Sequence, residues 1–244
     1  MLLSALALIF VFGAGIGATG IGGVGVVPVL IGLSVLPVSG AVPVAQAAFA
    51  VTSCVGAVMH RRSLAGLDRK VVALLVWAAA GAVAGALLLP VVAGLWLEVA
   101  LGLLMIGAGV FELVRALRPG LGQAAAPREP DMRLVGSGVG VGSALTGTGG
   151  PILFVPTMLL AGVELRRIVA LAQLIQAPIA GAATAVHLAR GALDLPLAGI
   201  VGTALGLGVI AGAMASRRMS VERLRLVLGV ALVAGGAAFL ATRS

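Results

Sequence analysis

Of the 244 residues, one is cysteine, none is tyrosine, two are tryptophan and eight are acidic. The lone Cys54 lies inside an apolar run, so neither a disulfide nor a thiolate metal site can be assembled within one chain; it reads as a small core residue. There is no HExxH, no pair of aspartates at membrane depth, and no GxxxxGK followed by Ser or Thr. These absences leave no metal, cofactor or enzyme chemistry to assign. No acidic residue falls at the centre of an apolar run: Glu98, Glu112 and Glu164 all lie near predicted helix ends, which argues against the usual carboxylate proton relay. With only Trp77 and Trp96, the aromatic belt is thin, and orientation has to be read from charge.

Apolar residues and glycine are abundant. A chain that is 61% apolar and 10% charged, with 37 glycines, has the composition of a bilayer protein. The runs 71–90, 95–111 and 195–215 carry at most one charge each and are close to the length that crosses a hydrocarbon core. A net charge of +8 would suggest nucleic acid in a soluble protein. Here the arginines fall in short loops, where they set topology and touch anionic headgroups, so the implied partner is membrane lipid and not nucleic acid. The N-terminal stretch MLLSALALIFVFGAG lacks the basic region of a signal peptide.

One pentapeptide organises the rest. Thr-Gly-X-Gly-Gly occurs as Thr19, Gly20, Ile21, Gly22, Gly23 and again as Thr146, Gly147, Thr148, Gly149, Gly150, at an offset of 127 residues. At the same offset Gly13 pairs with Gly140, Ala45 and Gln46 with Ala172 and Gln173, His60 with His187, and Gly81 and Gly85 with Gly208 and Gly212. Bias toward glycine and alanine does not account for glutamine and histidine in register, so the chain is an internal duplication. The spacing predicts a first repeat over 1–117, a polar linker over 118–133 and a second repeat over 134–244. Cleavage near Ala14 or Ala18 would remove part of one repeat.

Each pentapeptide breaks a helix inside the membrane, because consecutive glycines carry a large backbone entropy cost. Such a break is tolerated where the freed backbone faces protein or a water-filled cavity. Residues 1–18 and 24–36 read as a hairpin with both ends on one side, followed by helices at 43–59, 71–89 and 97–114. The second half repeats this at 134–146 and 151–163, then 168–187, 195–215 and 226–241. The loop after His60 holds four basic residues and the polar stretch 115–133 four arginines, which places both in the cytoplasm. The loop after His187 holds only Arg190, whereas residues 216–225 carry four arginines and their counterpart at 90–96 none. Charge thus changes sides between the halves. The expected fold is all-α and polytopic, with two inverted repeats, each a broken-helix hairpin plus three transmembrane helices, and both termini periplasmic.

Inverted repeats with broken helices hold substrate where the halves meet. Helix starts after Gly23 and Gly150 present backbone N–H groups and a positive dipole end to an anion, and glycine permits close approach. The candidate binding residues are Thr19, Gly20, Gly22, Gly23 and Gln46 in the first half and Thr146, Gly147, Thr148, Gly149, Gly150, Gln173 and Gln176 in the second. The glutamines are the only amide side chains in the spans; uncharged donors can hold an anion without trapping it. Helix packing is the alternative role for all of these, and for Gly81–Gly85 and Gly208–Gly212 it is the preferred one. His60 and His187 close helices beside loops, a position that favours interface anchoring over a protonation switch.

The segments GATGIGGVGVVPVL and ALTGTGGPILFVPTML, with the duplication and the basic central linker, resemble the sulfite exporter TauE/SafE family of bacterial membrane proteins over nearly the whole chain. The resemblance implies transport of sulfur-containing anions such as sulfite, sulfoacetate or related organosulfonates. The copies differ in one respect: Pro28 follows Gly23 by five residues, Pro156 follows Gly150 by six, and Pro151 intervenes only in the second. The sequence therefore predicts a secondary transporter of a small oxyanion in the inner membrane, with a passive anion channel and a non-transporting scaffold as alternatives. A homo-oligomer and a coupling ion, proton or sodium, are compatible with this architecture.

Overall fold

Proline, glycine and aspartate divide the chain into helices. The computed structural model describes residues 2–19, 22–59, 68–92, 94–118, 130–163, 165–216 and 220–242, and these contain no β-strand. The first half comprises α1 (Leu2–Thr19), a 3-10 turn at Gly23–Gly25, α2 (Val26–Gly32), α3 (Val38–Met59), α4 (Arg69–Leu88) and α5 (Gly94–Leu117). The second comprises α6 (Met132–Thr146), α7 (Pro151–Leu160), α8 (Leu165–Ala189), α9 (Leu195–Ala215) and α10 (Val221–Ala241). Five described stretches, Arg69–Val91, Gly94–Leu117, Leu171–Ala189, Leu195–Ala215 and Glu222–Ala241, are long and apolar enough to cross a bilayer. The expected all-α, polytopic class holds. His60, loop residues 61–67 and linker residues 119–129 lie outside the described residues.

Local chemistry fixes the ends. Asp68, Asp131 and Asp194 cap α4, α6 and α9 by accepting from the backbone N–H of Val71, Arg133 and Leu197, which satisfies donors that a helix start leaves open. α3 begins earlier than the expected residue 43, because the Pro37 carbonyl accepts from the N–H groups of Gly40 and Ala41 and starts the first turn. Pro43 lies inside this helix. α2 ends at Gly32 and not near residue 36, since the chain turns at Ser34, with φ 53, and the Leu30 carbonyl takes the N–H groups of Val35 and Leu36. With 7 and 10 residues, α2 and α7 are far short of the roughly 20 needed to span.

Close helix packing runs through glycine. α1 lies along α9 and α6 along α4, while α5 packs on α10 and α3 on α8. A Cβ on Gly208 or Gly212 would fall on the backbone of Phe10 or Ala14; one on Gly81 or Gly85 would fall on the backbone of Ser137 or Val141. Missing side chains let the helix backbones touch, the packing role expected for both GxxxG pairs. The 127-residue offset converts one contact set into the other: Gly81, Gly85, Phe10 and Ala14 correspond to Gly208, Gly212, Ser137 and Val141. α5 and α10, themselves counterparts, run antiparallel, since Gly102 abuts Leu240 while Gly109 abuts Gly229.

Polar contacts mark the two ends of the bundle. Arg167 Nη2 meets Asp68 Oδ2 at 3.4 Å near the starts of α8 and α4. Arg190 Nη1 donates to the Leu87 carbonyl at 3.3 Å near their ends. α4 and α8 therefore point the same way.

His187 departs from the sequence reading. It is buried within α8, 2% exposed, with Nε2 lacking a partner among the described residues, and so it does not anchor at an interface.

Candidate functional site

The second break is the better described. α6 ends at Thr146, and Gly147, with φ 65, turns the chain out of the helix, its N–H returning to the Ser143 carbonyl. Gly149 and Gly150 follow with φ of 77 and 112, conformations that favour glycine because a Cβ would crowd the backbone. Pro151 then opens α7, where its fixed φ suits the first turn and its missing N–H costs nothing. Gln46 of α3 reaches across from the other half, donating Nε2 to the Ser143 carbonyl at 2.6 Å. That carbonyl also receives the Thr148 N–H at 3.3 Å. Gln46 thus braces the break, and its own Oε1 has no hydrogen-bond partner among the described residues.

In the first break, α1 stops at Thr19 and the chain resumes at Gly22. Gly20 and the Thr19 side chain lie outside the described residues. Gly22 is extended, φ 167, and leads into the Gly23–Gly25 turn. The two breaks meet directly: a Cβ on Gly23 would stand 2.7 Å from the Phe49 ring and 3.3 Å from the Thr148 carbonyl oxygen.

Between them is a cavity. Gly22, Gly23 and Phe49 wall it from the first half, Thr148, Pro151, Ile152 and Gln176 from the second. Its polar groups are neutral. Thr148 Oγ1 lies 3.0 Å from Thr146 Oγ1, which also contacts the Gly142 carbonyl at 2.7 Å. Gln176 donates Nε2 to Thr52 Oγ1 at 3.1 Å. The start of α7 contributes a positive dipole end at Pro151 and Ile152. A volume of about 10 Å³ holds about one water molecule. The walls must part before anything the size of an oxyanion enters.

Four candidates from the sequence, Gly22, Gly23, Thr148 and Gln176, line this cavity. Gly147, Gly149 and Gly150 shape the turn that presents Thr148, and Gln46 braces it. Gln173, the counterpart of Gln46, is half-buried and does not line the cavity. Phe49 was missed. The 127-residue offset pairs it with Gln176, so the repeat itself carried the signal: one wall position is aromatic, the other an amide.

A second opening adjoins the first. An apolar groove of about 750 Å³ runs between α5 and the α6–α7 hairpin, from Leu104 and Phe111 to Pro156 and Thr157. Ile152 lines both spaces, and Thr146 and Thr148, whose hydroxyls contact each other, line one each. The corresponding positions of α2 are closed in: Val26, Val29 and Leu30 are buried, whereas their counterparts Leu153, Pro156 and Thr157 are half-buried or exposed.

No match is found among curated proteins or among solved structures. The model of the sulfite exporter TauE/SafE family matches residues 5–239, through both breaks and all ten helices, and the chain belongs to that family of membrane transporters.

Proposed function

We propose that the chain is a secondary transporter that moves a small sulfur-containing oxyanion, such as sulfite, sulfoacetate or a related organosulfonate, across the bacterial cytoplasmic membrane. Its substrate site is the cavity between the two breaks, and access alternates as one half rocks against the other. The carrying observation is that both pentapeptides, from opposite halves, wall the same cavity. Neutral donors and a helix start suit an anion that must bind and leave again.

The repeats are inverted. Antiparallel packing of α5 on its own counterpart α10 supports this, because two copies pointing the same way would bring equivalent helices together in parallel. The charge distribution supports the same arrangement, with linker and basic loops in the cytoplasm and both termini in the periplasm. The groove beside α7, against the closed flank of α2, is the asymmetry expected of one end-state of an alternating cycle. α7 is the arm displaced in this state, and α2 takes that role in the other.

The test is uptake of labelled sulfite and taurine-like anions into proteoliposomes, with and without pH and sodium gradients. Accumulation above the outside concentration, driven by one of those gradients and lost in Gln176→Leu, supports the reading. Equilibration without accumulation identifies a passive channel, and absence of flux for every anion identifies a scaffold.

A further inference from the structure

At one end of the α5–α10 pair the protein buries three charges outside the central cavity. Glu112 is fully buried and Arg115 is 6% exposed, both on α5; Arg225 of α10 keeps 16% of its side chain open. Ionisable groups within spanning helices are costly and point to function by default. Two features set this cluster apart from a simple helix clasp.

The first is incomplete pairing. Arg115 Nη1 lies 3.4 Å from Glu112 Oε1, and Arg225 Nε lies 3.6 Å from Glu112 Oε2. Charge-assisted hydrogen bonds close to about 2.7–2.9 Å, so both contacts are loose. Among the described residues Arg115 Nη2, Arg225 Nε and Glu112 Oε2 have no hydrogen-bond partner, and within the cluster two guanidiniums against one carboxylate leave a net charge of +1. A buried charge without compensation is expensive. The second feature is asymmetry. The 127-residue offset maps Glu112, Arg115 and Arg225 onto Phe239, Thr242 and Glu98, so the duplicated seam does not require this set of charges.

We propose that Glu112, Arg115 and Arg225 form a second oxyanion site, in which an anion of the sulfonate, sulfite or phosphate type bridges the two guanidiniums. The Phe111 ring lies beneath the Arg115 guanidinium, 5.3 Å from ring centroid to Cζ, while Nη2 is buried without a hydrogen-bond partner among the described residues, so an acceptor reaches it only as the side chains around it part. A guanidinium edge matches two oxygens of such an anion. The anion approaches over Arg225, the one open member, and Glu112 repels it, tuning affinity downward so that it can dissociate. The ligand is either a free oxyanion or the phosphate of a lipid headgroup, which share this chemistry.

The experiment uses the full chain carrying Gln176→Leu, so that the central cavity is disabled and failure of one site leaves the other reading standing. Melting is followed in nanodiscs of zwitterionic lipid against sulfite, sulfate and inorganic phosphate, and in nanodiscs of anionic lipid without added anion. A free-anion site raises the melting temperature with concentration; Arg225→Gln weakens the apparent affinity by about tenfold and Glu112→Gln strengthens it by a similar factor. A headgroup site raises the melting temperature in anionic lipid alone, and Arg225→Gln removes that increment. If Arg225→Gln does not fold, Arg225→Lys, which keeps the charge but loses the planar edge, takes its place. Responses identical to the parent in both the Arg225 and Glu112 variants would overturn the proposal and leave the cluster a helix clasp.

Discussion

Gln176 donates to Thr52 across the two halves at 3.1 Å, so the amide at the central cavity is held in place by the opposite repeat. Gln176→Leu keeps the volume but removes both the donor to Thr52 and the polar wall. Sulfite flux in proteoliposomes is expected to fall by about tenfold or more, the equivalent of one lost charge-directed hydrogen bond. Thr52→Val leaves the amide in place without its acceptor; its flux lies between that of Gln176→Leu and wild type. Stability changes by only about 1 kcal/mol in either variant, so melting temperatures check that lost flux is not lost fold. Equal flux in Gln176→Leu and wild type would remove Gln176 from the site.

Backbone geometry at the second break gives a sharper contrast. Gly150, at φ 112, occupies a conformation that an alanine adopts only under strain, and a Cβ there would also meet Ile179 Cδ1 at 2.9 Å. Gly150→Ala is expected to cost about 1–3 kcal/mol and to suppress flux by displacing Thr148. Gly22→Ala acts differently: its extended backbone accepts alanine, but the Cβ lies 2.6 Å from the Phe12 carbonyl oxygen. Gly199→Ala, with nothing within 4 Å of the added carbon, is the control and stays within about 0.5 kcal/mol of wild type. Flux assays and melting in one detergent compare the three. Full flux in Gly150→Ala would show that the turn does not position the site.

Much of this arrangement was legible in the residues. Hydropathy alone marked residues 195–215 as a span, and α9 covers Leu195–Ala215, because an uninterrupted apolar run closed by Asp194 allows no other reading. The breaks were legible because glycine at adjacent positions acts locally. What escaped depends on distant partners. From the sequence Glu112 falls near a predicted helix end and Arg115 just beyond the span at 97–114; only the packing of α10 brings Arg225 against them while Glu112 and Arg115 are buried. The matched pair Gln46 and Gln173 suggested equal roles, yet among the described residues only Gln46 finds a carbonyl across the interface, since the last turn of α6, at Ser143, lies beside α3. Sequence identity between repeats does not carry identical surroundings.

The glycine seams test the duplication energetically. Gly85→Val and Gly212→Val place a branched side chain against the backbone of Val141 and Ala14 respectively, at positions related by the offset. Rigid helix backbones cannot yield as a side-chain tip would, so each is expected to lose at least about 1–3 kcal/mol and a large share of folded protein in the membrane. The two effects should be similar, because the opposing surfaces are repeat equivalents. Folded yield by size-exclusion chromatography measures both. A severe loss in one with none in the other would mean that the seams contribute unequally to assembly.

The last prediction concerns motion. Leu104 of α5 and Pro156 of α7 face the same groove of about 750 Å³, while the equivalent flank of α2 is closed, so alternation requires α7 to approach α5. The cysteine count makes the experiment simple: with Cys54 replaced by serine, Leu104→Cys and Pro156→Cys become the only two thiols. A spacer with reducible thiol-reactive ends joins the two thiols across the groove. Bridging the two thiols should hold α7 away from α5 and abolish anion accumulation, and reductant should restore it. Each single-cysteine protein treated with the same reagent controls for bulk in the groove. Undiminished transport with the bridge intact would mean that substrate reaches the cavity without movement of α7, and the alternating scheme would fail at that arm.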